Sequence, residues 1–537
     1  MTWTAVRPAK VLVLAIDAAN PALLIRWAED GTLPNIRALL ARGLVGETRS
    51  LDGFFVGSTW PSFYTGLTPA RHGFHYTLQL ERGTYAFRRP AAGQLVKSPP
   101  FWSHLSQAGR RVAILDVPLT RIDPSINGVQ VVEWGGHDSV YGFQTWPPGV
   151  ASALASRFGA HPLGASCDAV RRSPADYVAF TDALVRGVRV KASLTKHILR
   201  QGGWDFFIQV FTEAHCAGHQ CWHLHDVTHP GHDPSIVAAT GDPLRRVYMA
   251  IDAAIGDVLG EAGDALVVVL VAHGMSYWYG AQFLLADILF RLGVAYPPVA
   301  SPAPVDLFQA GLAGARWAWR RLPDSIRARL APVRDALVPR KDNSERVPTV
   351  RVDPTRSACF PVHNGLATGG IRLNLIGREP LGILDPAVAD AFSEDLAAAL
   401  LDIVDERTGQ PLVRRVLRTG DVYAGEHVDD LPDILVDWSD AVPTGSTLIA
   451  GGAGAVVRAR SPRIGTVQGA NQYGRTGEHR QQGLFVAAGP GVRAGRLDRI
   501  TSILDFAPTF AGLCGVDLRP CDGRPVPELL QSEPRGG

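Results

Sequence analysis

Runs of aliphatic residues with no polar member constrain this chain more than any other feature. Residues 11–16 read VLVLAI and residues 266–271 read LVVVLV. A strand with one solvated face alternates apolar and polar side chains. Unbroken runs of this kind mark strands covered on both faces, as in a parallel sheet. Further strand candidates lie at 112–117, 129–133, 206–211, 433–437 and 483–488, separated by amphipathic stretches at 21–42, 147–158, 174–199, 243–261 and 384–405. This βαβα alternation predicts an α/β fold, a mostly parallel central sheet covered by helices on both faces. In such sheets functional residues collect where strands end at their carboxyl edge.

The 537 residues exceed what one ordinary core needs, and the expected organisation is one large elaborated α/β domain over 1–537. Residues 300–356 are rich in Pro, Ala and Arg and read as an inserted helical cap or a linker, either a basic amphipathic helix or a solvated surface insertion. A net charge of +2 gives no reason to expect nucleic acid as a partner. No apolar run reaches the roughly 18 residues of a membrane span. The apolar run at 11–16 is too short for a signal-peptide core and ends in an acid, so a cytoplasmic location is expected. Cysteines 167, 216, 221, 359, 514 and 521 form no CxxC pair and read as reduced thiols, with a ligand role open for the two beside the histidine cluster.

Four strand ends carry candidate ligands. Asp17 follows VLVLAI directly, as a hard-metal ligand or as the N-cap of a helix beginning near Pro21. In GSTWPSFYTGLTPARHG, 57–73, Thr59 falls at a helix N-terminus, where a hydroxyl caps the helix or serves as a nucleophile. In FTEAHCAGHQCWHLHD, 211–226, His215 and His219 are four apart and share a helix face that can grip one metal; His223 continues that face and His225 lies near it. His273 follows the aliphatic run at 266–271, with Gly274 allowing a tight turn, and His479 precedes the strand at 483–488, flanked by Glu478 and Arg480.

Taken in order, these segments resemble the alkaline phosphatase superfamily, and within it the type I phosphodiesterase/nucleotide pyrophosphatase family. The resemblance runs through Asp17, GSTWPSFYTG, the HxxxH at 215–219, HGM at 273–275, IRLNLIGREPLGI at 371–383, TGEHR at 476–480 and ILDFAPTFAGLCGV at 503–516. It implies an alkaline phosphatase-like fold and hydrolysis of phosphodiester or pyrophosphate bonds in a small-molecule phosphoester or nucleotide-like substrate. It further implies a site for one or two Zn²⁺ ions. The first would be held by His215, His219 and His479; the second by Asp17, the nucleophile Thr59 and His273. In-line attack of the hydroxyl on phosphorus would give a covalent intermediate that water then hydrolyses. Phe54, Phe55, Trp60 and Phe63 crowd the nucleophile, as a pocket for a base or as core packing. Arg71 and His72 match a stretch that supports the nucleophile loop. No Cys stands where the related sulfatases carry their formylglycine precursor, which disfavours sulfate esters.

Two positions depart from the family pattern. His215 and Ala272 both stand where the family has Asp. The first change leaves a three-histidine set suited to zinc with one position open. The second removes a carboxylate from the other position, at a cost of roughly 10- to 1,000-fold in metal affinity. Three alternatives stay open: a one-zinc phosphoryl-group transferase or pathway-specific hydrolase, a non-catalytic phosphate-ligand binding protein on the same fold, and a swapped-ligand site in which Glu213 reaches in.

Overall fold

The computed structural model describes residues 10–89, 96, 98–135, 141–164, 167–171, 173–298 and 347–530. Strands that matter here are β1 (Val11–Ile16), β2 (Leu44–Arg49), β3 (Val112–Leu115), β4 (Gly128–Val132), β5 (Gln144–Trp146), β6 (Phe206–Phe211), β7 (Leu266–Val271), β8 (Gly274–Tyr277), β9 (Gly477–Arg480) and β10 (Gln482–Ala488). The central sheet runs in the order β2-β10-β7-β1-β6-β3-β4-β5, with Gly495–Arg496 and Thr501–Ser502 pairing on β2. From β7 to β4 every neighbouring pair is parallel. The expected sheet is therefore present, with β10 and β5 antiparallel to their neighbours at its flanks.

Alternation along each strand explains how both faces are buried. Leu12, Leu14 and Ile16 enter one core with Val267, Val269 and Val271, while Val11, Val13 and Ala15 enter another with Val268, Leu270 and Ala272. Helices α1 (Thr59–Thr65), α2 (Pro174–Leu199), α3 (Glu213–His225) and α4 (Pro243–Leu259) divide between the faces. Residues of α2, α3 and α4 pack in the first core; α1 packs in the second, with Phe101, Phe506 and Phe510. A helix at 174–199 was expected and found; the stretch 21–42 breaks into Pro21–Glu29 and Pro34–Arg42, each with Pro in its first turn.

The run at 433–437 does not join the central sheet. Ile434–Trp438 lies in a separate four-stranded antiparallel sheet with Cys359–Val362, Thr368–Leu373 and Val413–Arg418. Its inner residues pack on Leu285–Arg291 and Ala389–Leu401 in a third core, so it too is covered, and an aliphatic run alone could not separate the two sheets. The insertion proposed for 300–356 lies outside the described residues as far as 346; Val347–Thr349 pairs with Ala86–Arg88. None of the six cysteines forms a disulfide. Among the described residues no helix is long and apolar enough to cross a membrane.

Candidate active site

Parallel strands β7, β1 and β6 deliver their carboxyl ends to one edge of the sheet. At that edge α3 begins two residues after β6, which lifts His215 and His219 on successive turns. Strand β9 pairs antiparallel with β8 and brings His479 opposite Met275. Ligand nitrogens of His215, His219 and His479 all lie within 4.8 Å of one another, and the three rings are at most 4% exposed. Ring centroids are 4.4 Å apart for His215 and His219 and 5.0 Å for His215 and His479. His219 Nδ1 sits 2.7 Å from the Gly477 carbonyl, so Nδ1 carries the proton and Nε2 keeps its lone pair. That nitrogen faces His479 Nε2 at 3.2 Å. Converging imidazole nitrogens, one oriented by a backbone carbonyl, are what a zinc position requires. Packing of α3 on β9 is tight enough that a Cβ at Gly477 would lie 2.2 Å from the Gly218 carbonyl.

His223 and His225 do not join this group. His223 Nδ1 lies 3.1 Å from Thr476 Oγ1 and Nε2 3.3 Å from the Tyr177 hydroxyl, while His225 pairs with Asp242 at 2.6 Å. A helix face shared at four-residue spacing curves away from a point, so only its first two members reach one position.

Asp17 and His273 form the neighbouring half. The Asp17 backbone N–H donates to the Phe211 carbonyl, and His273 Nε2 lies 3.9 Å from Asp17 Oδ1. The His273 ring is 4.8 Å from that of His479. Asp17 does not cap the first helix; Asn20 does, accepting from Leu23 N–H. Gly274 serves close approach: a Cβ there would lie 2.5 Å from the Gln482 carbonyl.

Thr59 opens α1, and its hydroxyl caps nothing. It donates to the Phe55 carbonyl at 2.7 Å and lies 2.5 Å from Ser50 Oγ. Trp60, the next residue, donates its indole N–H to Asp17 Oδ1 at 2.9 Å, which ties the hydroxyl loop to the ligand edge. Ser50 was not foreseen. It follows β2, whose sequence carries no motif, and Gln481 positions it by exchanging hydrogen bonds with its backbone. Below the loop, Phe74 N–H donates to His72 Nδ1, leaving Nε2–H to donate to Ser62 Oγ at 2.9 Å. Burial holds the His72 imidazole down at about 3, so the ring is a neutral strut. Arg71 pairs with Asp522 at 2.6 Å.

The four aromatic candidates are at most 4% exposed. Phe63 sits among Phe101, Phe506 and Phe510. Phe54 packs on His75 and Tyr423, and Phe55 belongs to the third core. Such placement suits packing more than recognition of a base.

Ala272 is fully buried on the core face shared by Val268, Leu270 and Trp60. Glu213 does not substitute for the missing acid. Its carboxylate is held by Lys191 Nζ at 3.2 Å and His161 Nε2 at 3.1 Å. Lys191 also reaches Asp116 at 3.5 Å, and all three charged side chains are at most 3% exposed. Burial alone would neutralise Lys191, yet Glu213 and Asp116 keep its ammonium above the ordinary value; Lys191 and His161 likewise outweigh burial and keep Glu213 below its own. Replacing Lys191 by Met leaves two buried carboxylates without their cation. The expected loss is about 3–5 kcal/mol of stability, measurable by denaturant unfolding; a loss under about 1 kcal/mol would show that the network carries no net charge interaction.

The fold is that of an α/β protein of the alkaline phosphatase-like class, with the candidate ligands on loops at the carboxyl edge of a mostly parallel sheet. The sequence model of the type I phosphodiesterase / nucleotide pyrophosphatase family matches residues 11–289, and the chain belongs to that family of phosphoric ester hydrolases. Its fold is similar to that of a phosphonoacetate hydrolase from Sinorhizobium meliloti 1021, solved in complex with phosphonoacetate. The TM-score is 0.51 at 15% identity, over 94% of this chain and 95% of that one. A second structure of that hydrolase, in complex with phosphonoformate, gives 0.49 over the same shares. No curated protein matches the chain.

Proposed function

We propose that the protein is a metal-dependent hydrolase of phosphodiester or pyrophosphate bonds in small-molecule, nucleotide-like substrates, with Thr59 as nucleophile. The observation that carries this reading is the convergence of His215, His219 and His479 within 4.8 Å, with the His273 ring 4.8 Å from that of His479. His215, His219 and His479 would hold one zinc, and Asp17, Thr59 and His273 a second position. Bound zinc supplies Lewis acidity, lowering the pKa of a hydroxyl and neutralising charge on a departing oxygen. Thr59 would attack phosphorus and give up its proton, and the ester oxygen would depart and take one up to leave as the alcohol, so that the remaining phosphoryl group is esterified to Thr59 until water cleaves it. Ser50 donates to the Thr59 oxygen once that oxygen has lost its proton. Trp60 fixes the Asp17 carboxylate. Burial of every one of these side chains keeps stray water from the reacting atoms. Six cysteines outside any disulfide suit a reducing, cytoplasmic setting.

Elemental analysis of the purified protein tests the metal. Chelation is expected to lower turnover of an aryl phosphodiester by at least about 100-fold, with recovery on adding zinc. Turnover that survives removal of all metal would sink the proposal. Ala272 favours a second reading, in which a single zinc serves a pathway-specific hydrolase or transferase. One ion per chain, unchanged in Ala272→Asp, would support that reading over the two-ion one.

A further inference from the structure

Two of the six cysteines stand beside one ring of the three-histidine group. Cys167 Sγ, Cys216 Sγ and a ring nitrogen of His215 all lie within 4.8 Å of one another, and the three residues are at most 4% exposed. Cys216 precedes His219 on α3, while Cys167 comes from a loop ahead of α2. Cys221, the other cysteine beside the histidines in sequence, is not in this group. A small buried thiol is ordinarily core packing, and both cysteines do pack in the first core. Their meeting with an imidazole is what packing does not require: two sulfurs and a nitrogen converge, which is a donor set for a soft metal.

The loop that carries Cys167 is fastened on both sides. Cys167 is 1% exposed although the three residues after it are all exposed, so the loop turns this one side chain inward. Arg171 closes the loop: its guanidinium donates to the Cys167 and Ala169 carbonyls and to Gln220 Oε1 at 2.7 Å, and it stacks 3.5 Å from the ring centroid of Phe180 on α2. Gln220 in turn donates to Asp168 at 3.2 Å. Gln220 lies four residues past Cys216, on the same face of α3, so these bonds set the loop against the turn that bears Cys216. Asp168 also accepts from Arg475 Nε at 2.9 Å, and Arg475 Nη1 lies 3.3 Å from His219 Nε2. A donor set held in place before the ion arrives loses little side-chain freedom on binding it.

We propose that Cys167, Cys216 and His215 form a metal position of their own for Zn²⁺, adjoining the three-histidine group and sharing His215 with it. Thiolate and imidazole donors about 2.3 and 2.0 Å from a tetrahedral zinc stand roughly 3.3–3.8 Å apart, so side-chain adjustments of about 1 Å close the group. Both thiols give up their protons to solvent as the ion binds. Two thiolates then balance the charge of a divalent ion, and the filled position brings no net charge into the core. Three neutral imidazoles leave the same ion its whole charge, so the two positions differ in kind. Thiolate donors also select zinc over magnesium, calcium or manganese. The common ring couples the positions: filling one changes the affinity of the other, equally in both directions. The inference stands on the placement of these side chains and holds whether or not the chain hydrolyses phosphoesters.

Cobalt(II) titrated into the chelated full chain, kept reduced with a phosphine, tests it without turnover. Cobalt held by thiolates absorbs strongly in the near ultraviolet through sulfur-to-metal charge transfer, and cobalt held by imidazoles and carboxylates lacks that band. The band is expected, and zinc added afterwards should abolish it, because zinc binds such donors more tightly than cobalt. Cys167→Ser and Cys216→Ser should each cut the saturating band by about half or more and weaken cobalt binding there at least about 10-fold, since one donor of three is lost. His215→Gln should keep the band, because both thiolates remain, but weaken binding at least about 10-fold. Cys221→Ser, buried on the same helix outside the group, should change neither and controls for the loss of a core thiol. Absence of the band at saturating cobalt in the unaltered protein would overturn the inference, and that readout needs no variant to fold. So would a band kept in both Cys167→Ser and Cys216→Ser, a band lost equally in Cys221→Ser, or an affinity that His215→Gln leaves unchanged.

Discussion

Thr59→Ala should lower turnover of an aryl phosphodiester by at least about 10³-fold while zinc content and fold persist. The side chain contributes little to stability. It makes one hydrogen bond to the Phe55 carbonyl and one contact with Ser50, worth about 1 kcal/mol net each. Its methyl group lies in a loop already held by Trp60, Ser62 and His72. Loss of activity would therefore report chemistry and not collapse of the site. Ser50 Oγ is the nearest hydroxyl, and a small residual rate in Thr59→Ala would come from it. That residue should vanish in the double variant Ser50→Ala/Thr59→Ala. Ser50→Ala alone should cost roughly 10-fold, the share of one hydrogen bond to a developing oxyanion. Thr59→Ser should keep most of the activity, because the oxygen is retained. Wild-type turnover in Thr59→Ala would reject the nucleophile and leave direct attack by water as the mechanism.

The meeting of the candidate ligands was legible in the sequence because each sits beside a local signal. Asp17 and His273 follow aliphatic runs, and His215 and His219 follow another at helical spacing. The topology then does the rest: parallel strands β6, β1 and β7 are neighbours, so their ends must meet. Ser50, Asp168 and Arg475 were not legible as partners. Their contacts join segments up to 431 residues apart, as between Ser50 and Gln481, and nothing in local periodicity encodes such a meeting. Lys191 was hidden for a related reason. It lies in an amphipathic helix where a lysine ordinarily faces water, and only tertiary structure shows it enclosed with Glu213 and Asp116. The reading of 433–437 as a central strand failed because burial on both faces arises equally in the smaller antiparallel sheet. At Thr59 the local reading favoured a helix cap, and the structure shows none: the hydroxyl turns back to Phe55 and Ser50.

Lowering the pH from 7.5 to 5 should bring the chelated protein close to unfolding. Four buried histidines remain neutral in the folded state: burial holds His72 and His223 down at about 3 and His75 and His229 at about 4. Unfolded, each titrates near 6.5. Below that value the unfolded chain binds more protons than the folded one, so stability falls as pH falls. At pH 5 each ring contributes a loss of about 2 kcal/mol, or about 8 kcal/mol for the four. Glu478 acts with the opposite sign. Burial pushes its carboxyl up to about 7, so protonating it on the way down restores about 2 kcal/mol. The net loss, about 6 kcal/mol, is comparable to the whole stability of an ordinary domain. Working on chelated protein removes the separate competition between protons and metal for the ligand rings. Denaturant titrations at pH 7.5, 6.5, 5.5 and 5 should show the midpoint falling steadily. His75→Gln, which removes one titrating ring, should flatten the slope by about one proton. A stability constant to within about 1 kcal/mol across that range would mean these rings are hydrated or already charged in the folded protein, and the packing described around the Thr59 loop would be wrong.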